Sequence, residues 1–360
     1  MVKMPAHLQR ILERARWAPS GDNTQPWRFE VLGDDRILVH GYDTSDHVVY
    51  DLDGHASHLA LGALLETIHI AATAESCLTH VTRRSDTPEN HLQFDVRFEQ
   101  TVEVAEDLLV PCIETRVVQR RPMSTHPLTD DQKTDLANAL PDGYRVAWFE
   151  GLPQRWRIAK FMFDNSKARL IIPEAYEVHK SVIEWGARYS VDRIPDQAVG
   201  VDPLTARFMH WAMASWGRVD FFNTYLMGHV VPRLQLDLLP GLLCAAHFAL
   251  LAANPLLSVD DYIAAGRVMQ RFWLTATRLG LFIQPEMTPL IFARYHRHGY
   301  KFTQTTNARK IVENVNARLI DLLGGHDVEA LFFMGRIGTR PVPLARSTRK
   351  ALADMLIDHP

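Results

Sequence analysis

The spacing of hydrophobic and polar positions changes several times along this chain, and each change marks a new element. Helical spacing predicts an amphipathic helix over residues 5–16, ended by Pro19, and a largely apolar helix from about residue 57. Alternation predicts short strands near residues 28–40, 78–83 and 92–98. The first hundred residues therefore predict an α+β unit with a sheet and lack the regular pattern of a parallel βαβ fold.

The pattern beyond a join near residues 103–112 repeats part of this order. Thr129 and Gln132 predict the capping box of a helix, and Ser258 predicts the cap of a long helix that ends at Gly280. A long helix followed directly by a short strand thus occurs at 57–83 and again at 258–283, which indicates two related halves. The remaining predictions in this part are strands at 144–149 and 328–337 and helices at 154–172, 174–189 and 309–323.

Residues 190–235 are rich in large apolar side chains but are broken by glycine and proline. Two interpretations stay open for this segment. It packs in a core or an interface, as apolar stripes at helical spacing usually do, or it covers a binding site as a lid, a frequent role of long irregular segments. The side chains concerned are Phe208, Met209, Trp211, Met213, Trp216, Phe221, Phe222, Tyr225 and Met227.

The composition is that of an ordinary globular protein. The 360 residues are 47% apolar and 22% charged, enough for two cores or one large fused unit. The formal net charge of −3 argues against nucleic-acid binding, which needs a basic excess on one face. The apolar stretch 238–257 is interrupted by two prolines, a histidine and an asparagine, so we expect a buried core segment and no membrane contact.

The cysteines and histidines give no sign of a disulfide framework or a metal site. Cys77, Cys112 and Cys244 lie far apart and favour buried thiols in a reducing compartment. His296 and His298 lack a third ligand in reach, and an exposed basic loop is the favoured interpretation. The first residues lead into a charged helix without the apolar core of a signal peptide. We therefore expect a cytoplasmic protein without a bound metal.

Residues 18–29 contain the densest turn chemistry of the chain. Ser20, Asp22, Asn23 and Thr24 carry oxygens that can satisfy nearby N–H groups, and Gly21 lets a partner approach without a Cβ in the way. These residues alone predict a rigid polar loop, which is either a binding loop or only a well-made connection.

This loop resembles the signature of the FMN-dependent nitroreductase superfamily over twelve consecutive residues, APSGDNTQPWRF. Other segments match in the family's order. Residues 120–124 resemble the Arg-Arg-Ser-type start of a nitroreductase domain, and residues 266–285 resemble the family's long helix and the strand after it. Residues 335–346 resemble its C-terminal basic segment. The resemblance is to the long fused branch, the tandem Acg-like and molybdopterin-biosynthesis nitroreductase-like proteins.

The resemblance implies a nitroreductase-like α+β fold in which two related halves of one chain form a pseudo-dimer, with central mixed sheets flanked by helices. Residues 1–112 would be a degenerate half that supplies the polar loop. Residues 113–360 would carry the phosphate-binding arginines and the possible lid at 190–235. Only one complete set of site motifs is present, so we expect one FMN per chain, in a monomeric pseudo-dimer or a homodimer.

The resemblance also implies which residues would hold FMN. A phosphate prefers the planar, multi-donor guanidinium, so Arg120, Arg121 and Arg346 are its candidate partners. The polar loop and the turn after the long helix would contact the flavin. The candidate cofactor-binding residues are Pro19, Ser20, Gly21, Asn23, Gln25, Arg120, Arg121, Gln284, Pro285 and Arg346.

No catalytic side chain is required if flavin N5 carries the chemistry. A hydride would pass from NAD(P)H through the flavin to a nitro, quinone or similar conjugated small-molecule acceptor. The sequence accordingly has no Walker loop, no nucleophile elbow and no dinucleotide glycine fingerprint. A second function stays open, that of an FMN-binding, sequestering or accessory protein whose lidded flavin does not turn over nicotinamide.

Overall fold

Alternating apolar residues build the first sheet, and a long apolar helix packs beside it. The computed structural model describes residues 4–357, so the first three residues of the segment examined for a signal peptide lie outside it. Every second residue of the fourth strand is buried, which gives the sheet one core face. The elements of this part are α1 (Ala6–Ala15), β1 (Trp27–Val31), β2 (Arg36–Tyr42), α2 (His55–Thr73), β3 (Cys77–Arg83) and β4 (His91–Gln100).

The second part of the chain builds a second sheet and carries longer connections between its strands. A long helix, several short helices and three two-residue strands lie between the first two strands of this sheet, and three helices separate the last two. Its elements are α3 (Cys112–Thr115), α4 (Asp130–Asn138), β5 (Tyr144–Phe149), α5 (Gly151–Leu170), α6 (Pro173–Val182), β6 (Ile183–Glu184), β7 (Tyr189–Ser190), β8 (Ile194–Pro195), α7 (Asp196–Val199), α8 (Pro203–Ala212), α9 (Trp216–Tyr225), α10 (Val230–Arg233), α11 (Leu239–Leu242), β9 (Ala246–Ala252), α12 (Val259–Arg278), β10 (Phe282–Pro285), α13 (Thr288–His298), α14 (Thr306–Leu323), α15 (Gly325–Ala330), β11 (Leu331–Gly338) and β12 (Arg346–Ser347).

The two four-stranded sheets share one strand order. The first is β1-β2-β4-β3 and the second, read from its β5 edge, is β5-β9-β11-β10, with antiparallel neighbours throughout. In each sheet a long helix, α2 or α12, connects the second strand to the third. Single parallel bridges, Phe29 with Leu356 and Val118 with Ile283, make both sheets mixed. The expected α+β fold with two related halves is confirmed.

The two long helices pack directly against each other and join the halves. Gly62 of α2 and Gly266 of α12 meet at the crossing, where a Cβ on Gly62 would lie 2.1 Å from the Ile263 carbonyl oxygen. Nearby, the Gln270 side chain donates to Thr67 Oγ1 at 2.9 Å inside the buried interface. The glycines therefore set how closely the two halves approach.

Local sequence signals placed several elements correctly. The capping box at Thr129 and Gln132 is present, with Gln132 N donating to Thr129 Oγ1 at 3.2 Å. Ser258 caps α12 by accepting from the Asp261 N–H, and the segment 246–252 is the buried strand β9. Within the described part of the chain, no helix combines the length and the apolar character that a membrane crossing needs.

Three element predictions were wrong in extent or type. The helix expected to reach residue 189 ends at Val182, and Gly186 follows with a φ of +73° in a turn. Residues 325–330 form a helical turn, so the last strand begins at Leu331; a short apolar run does not distinguish helix from strand. The segment with His296 and His298, expected to be an exposed loop, is the last turn of α13. Residues 190–235, to which the sequence assigned no elements, fold mostly into the short helices α7 to α10.

Candidate functional site

The polar loop between α1 and β1 is held in an unusual backbone conformation. Asp22, Asn23 and Gln25 all have positive φ values of 48°, 66° and 51°. Aspartate and asparagine tolerate this region, but a glutamine there costs of order 1–3 kcal/mol and persists only because the surrounding structure imposes the conformation. Strain of this kind concentrates at binding sites, which gives this loop a reason to be more than a connection.

Side-chain hydrogen bonds tie the loop to two distant segments and impose its conformation. The Asn23 amide donates to carbonyl oxygens of Arg193 and Thr348, each at 3.3 Å. The Gln25 amide donates to the Val191 carbonyl at 2.8 Å and accepts from the Lys350 N–H at 3.0 Å. The loop of the first half is thereby fixed against the second half of the chain.

A cavity of about 510 Å³ opens beside this loop. Its volume lies within the roughly 300–1,000 Å³ that is usual for small-molecule sites. Eight of the candidate cofactor-binding residues line it, drawn from four separate segments of the chain: Pro19, Ser20, Gly21, Asn23, Arg120, Gln284, Pro285 and Arg346.

The other two candidates do not reach this cavity. Gln25 is buried behind the loop, where its amide makes the hydrogen bonds just described. The Arg121 side chain points to the Gln197 carbonyl at 3.5 Å. A direct contact of either residue with a cofactor stays a prediction.

Three arginines that line the cavity lie close together, and within the described residues none of them forms a salt bridge with a carboxylate. Arg116 and Arg349 are only 4% and 9% exposed, and their guanidinium groups donate to the Trp17 carbonyl at 3.1 and 3.4 Å. Arg346 donates to the Glu114 carbonyl at 2.9 Å. Across residues 4–357, none of the three forms an ion pair, and the Nε atoms of Arg116 and Arg346 have no hydrogen-bond partner.

Burial and mutual repulsion make this arginine cluster costly. Burial, followed by the charge of Arg346, lowers the pKa of Arg116 to about 9, which still leaves it protonated at neutral pH. Burial and the charges of Arg116 and Arg346 hold the pKa of Arg349 well below its usual value. Like charges that are buried together without counter-charge are expected where an anion binds.

Of these three arginines, only Arg346 was identified from the sequence. Arg116 lies four residues before Arg120, and Arg349 lies three residues after Arg346. Both flank segments that had been recognised, so the local concentration of arginines at 116–121 and 346–349 was the available signal. The sequence does not show that folding brings Arg116 and Arg349 to the same acceptor, the Trp17 carbonyl.

A buried ionic network supports the turn at the end of β10. Glu286 accepts from His247 Nδ1 at 2.7 Å and from Arg336 Nη1 at 3.1 Å. Burial alone would lower the pKa of His247, but the Glu286 carboxylate raises it to about 10, so the network carries a net positive charge. Arg336 and Gln284 line the cavity, and within the described residues Arg336 Nε and Gln284 Oε1 have no partner.

A second polar group lines the same cavity. Tyr50 Oη and His179 Nε2 are hydrogen-bonded at 2.8 Å, and Arg169 Nη2 lies 3.7 Å from Asp237 Oδ1. Asp22, on the strained loop, faces Arg169 as well as Arg120. None of these five side chains was singled out from the sequence as a site residue.

The aromatic segment forms part of the cavity wall. Phe208, Met209, Met213 and Phe222, from α8 and α9 and the turn between them, line the cavity. Phe208 and Phe222 contact edge to face with centroids 5.0 Å apart. Other large side chains of this segment are exposed, among them Trp211, Phe221, Tyr225 and Met227, so core packing does not account for all of it.

The comparison with protein-family models agrees with the resemblance found in the loop. Residues 4–63 match the model of the Nitroreductase family, which confirms the recognition over this segment, while the long fused branch stays a prediction. A search of the curated proteins finds no match to this chain. One similar solved structure is a nitroreductase-like family protein from Bacillus cereus, at 11% identity and a TM-score of 0.35, covering 70% of this chain and 96% of that one. Another is the FMN-dependent nitroreductase NfnB from Mycobacterium smegmatis in complex with NADPH, at 15% identity and a TM-score of 0.36, covering 69% and 96%.

Proposed function

Proceeding from the nitroreductase-family match of residues 4–63, we propose that this protein is an FMN-dependent oxidoreductase. It would pass a hydride from NAD(P)H to a nitro, quinone or similar conjugated acceptor. The observation that carries the proposal is the cluster of Arg116, Arg346 and Arg349 on the cavity that also meets the polar loop. A phosphate monoester brings roughly −1.5 to −2 charges at neutral pH, which is the counter-charge this cluster lacks.

The residues present fit FMN along the whole cavity. In the arginine cluster, the unpartnered Nε groups of Arg116 and Arg346 would hold the phosphate. Elsewhere in the lining, Gln284 Oε1 and Arg336 Nε offer an acceptor and a charged donor to the polar edge of a flavin. The positive charge of the His247–Glu286–Arg336 network would favour a reduced, more negative flavin.

When bound, FMN supplies two-electron transfer between a nicotinamide and a conjugated acceptor. The chain's own residues would bind and orient it. Ser20 and Asn23 border the cavity from a loop whose backbone is already fixed. Binding of FMN would therefore cost little conformational entropy in this loop. Phe208 and Phe222, which also line the cavity, would exclude water from it.

The proposed site draws on both halves of the chain. Ser20 and Asn23 come from the half before residue 113, and the arginine cluster comes from the half after it. We propose the division at 112/113 on this basis, with the polar loop of the first half serving the FMN held by the second. This is also the reason to expect one site per chain.

A second candidate function rests on the aromatic wall. If α8 and α9 stay closed as a lid over the flavin, FMN would be bound but NAD(P)H could not reach it. The protein would then store or sequester FMN, or serve as an accessory protein. The two candidates differ in access to the flavin and share the same binding residues.

One experiment separates them. The purified protein is reconstituted with FMN, its visible spectrum is recorded, and NADPH or NADH is added without oxygen. Bleaching of the bound flavin by either nicotinamide is expected for the oxidoreductase. A bound flavin that dithionite reduces but neither nicotinamide bleaches would favour sequestration, and failure to bind FMN would refute both candidates.

A further inference from the structure

Arg169, in the last turn of α5, stands at the centre of the second polar group of the cavity. It is close enough to Asp22, Tyr50, His179 and Asp237 to influence the ionisation of all four. All five residues line the cavity. No such centre is needed to hold a flavin phosphate, because the arginine cluster already supplies that role.

The Arg169 guanidinium is incompletely satisfied. Its nearest carboxylate oxygen, Asp237 Oδ1, lies at 3.7 Å, beyond hydrogen-bond distance. Within residues 4–357, both Arg169 Nε and Asp237 Oδ2 are buried without a hydrogen-bond partner. A guanidinium can form two parallel bonds to one carboxylate, and this one has donors to spare.

The neighbours of Arg169 include two carboxyl groups whose ionised form is disfavoured by burial. Burial raises the pKa of Asp22 and of Asp237, which moves both toward the neutral acid. Burial lowers the pKa of His179 to about 3 and raises that of Tyr50, so this hydrogen-bonded pair is neutral at physiological pH. A ligand carboxylate would supply the hydrogen-bond acceptor that Arg169 Nε lacks within the described residues.

The surroundings of Arg169 also offer an apolar surface for a ring. Leu170, Ile183, Met209, Met213 and Phe222 line the same cavity. A cavity that pairs apolar walls with a few convergent polar groups is the usual form of a small-molecule site. A planar conjugated ligand could contact these side chains while its charged end meets Arg169.

We propose that Arg169 forms an acceptor subsite that selects conjugated acceptors bearing a carboxylate or a similar oxyanion. This inference rests on the proposed function, since it names the substrate class of the same cavity. Arg169 is the specificity-determining residue, and the hydrogen-bonded Tyr50–His179 pair with Asp237 positions it.

The test compares two probes that match in shape and differ in charge, 4-nitrobenzoate and 4-nitrobenzamide. Their binding to the oxidised FMN-loaded protein is measured by calorimetry and by perturbation of the flavin spectrum, without nicotinamide, so no turnover is needed. We expect the carboxylate to bind at least about tenfold more tightly, the scale of one charged hydrogen bond. Arg169→Met should abolish this preference while FMN stays bound, and Arg169→Lys should keep part of it.

The matched control is Arg207→Met, which removes an exposed arginine of α8 that lies outside the cavity lining. It should keep the full preference for the carboxylate probe. Equal binding of the two probes to the unsubstituted protein would overturn the inference, and so would a preference that survives in Arg169→Met. If FMN does not bind, the proposed function fails, and the same calorimetric comparison on the FMN-free protein still decides whether Arg169 selects an anion.

Discussion

Arg116 is almost fully removed from water, and among residues 4–357 it contacts backbone and an aromatic ring but no carboxylate. Its guanidinium lies 4.7 Å from the Trp273 ring centre and donates to the Trp17 carbonyl. A cation–π contact and one carbonyl replace only part of the lost hydration. The repulsion from Arg346 adds to that cost. Such an arrangement lowers the stability of the FMN-free protein. The binding of an anion restores the lost stability.

Replacing Arg116 should therefore separate FMN affinity from folding stability. Arg116→Met is expected to weaken FMN binding by about 1.5–3 kcal/mol, the scale of a charged hydrogen bond. The free energy of unfolding without FMN should stay the same or rise, because a buried charge without a counter-ion is removed. Fluorescence titration with FMN and urea denaturation of the FMN-free protein measure the two quantities.

Arg207→Met is the matched control, since Arg207 is an exposed arginine of α8 that lies outside the cavity lining. It should change FMN affinity by less than about 0.5 kcal/mol, as surface substitutions usually do. Equal FMN affinities of Arg116→Met and Arg207→Met would contradict the assignment of the arginine cluster.

The sequence alone identified those candidate site residues that belong to a continuous motif. Ser20, Asn23 and Gln284 were identified because the segments around them resemble a family signature. Arg349 was not, because an arginine in a basic tail becomes a buried site residue only through folding. The Arg169 subsite was missed for the same reason, since its members come from four segments.

At the level of elements, the contact of α2 with α12 depends on two glycines. The helices have 19 and 20 residues and cross at Gly62 and Gly266. A Cβ on Gly266 would lie 2.2 Å from the Leu59 carbonyl oxygen, a distance that backbone atoms cannot accommodate without moving apart. Salt bridges from Arg267 and Arg271 of α12 to Glu66 of α2 join the same two helices, and they depend on the same distance between the helices.

Gly62→Ala should consequently destabilise the protein despite the higher helix propensity of alanine. Forcing the helices apart costs about 1–3 kcal/mol, the range found for overpacked cores, and exceeds the gain of about 1 kcal/mol in propensity. Gly217→Ala is the control, because Gly217 lies on α9 with no heavy atom near the position of a Cβ. Urea denaturation should show a lower free energy of unfolding for Gly62→Ala and no decrease for Gly217→Ala. Equal free energies would show that the two helices accommodate a Cβ at their crossing.

Elements with local signals were predictable, and elements whose form depends on packing were not. The caps at Thr129 and Ser258 depend on residues within one turn, so they were read correctly. The short helices of 196–233 have one face on the cavity and another exposed, and this division removes the simple apolar stripe on which a sequence prediction relies.

For the whole molecule, the two sheets share one strand order, but the two halves contribute different residues to the cavity. Each half repeats strand, strand, long helix and two further strands, and the long helices form the contact between halves. The halves differ in their insertions. Those of the second half, between β5 and β9, supply Arg169, His179 and the aromatic wall. The site is therefore asymmetric although the scaffold is repeated.

This asymmetry predicts the cofactor stoichiometry. A repeated scaffold with two equivalent sites would bind two FMN per chain, whereas a scaffold with one complete set of site residues would bind one. Here the loop at Ser20–Asn23 meets the arginine cluster within a single chain, and the equivalent turn of the second half, residues 140–143, carries no such loop. We expect one FMN per chain whether the protein is monomeric or dimeric. Flavin absorbance against protein concentration, with the mass in solution from light scattering, measures this ratio, and a value near two or near one half would contradict the asymmetric site.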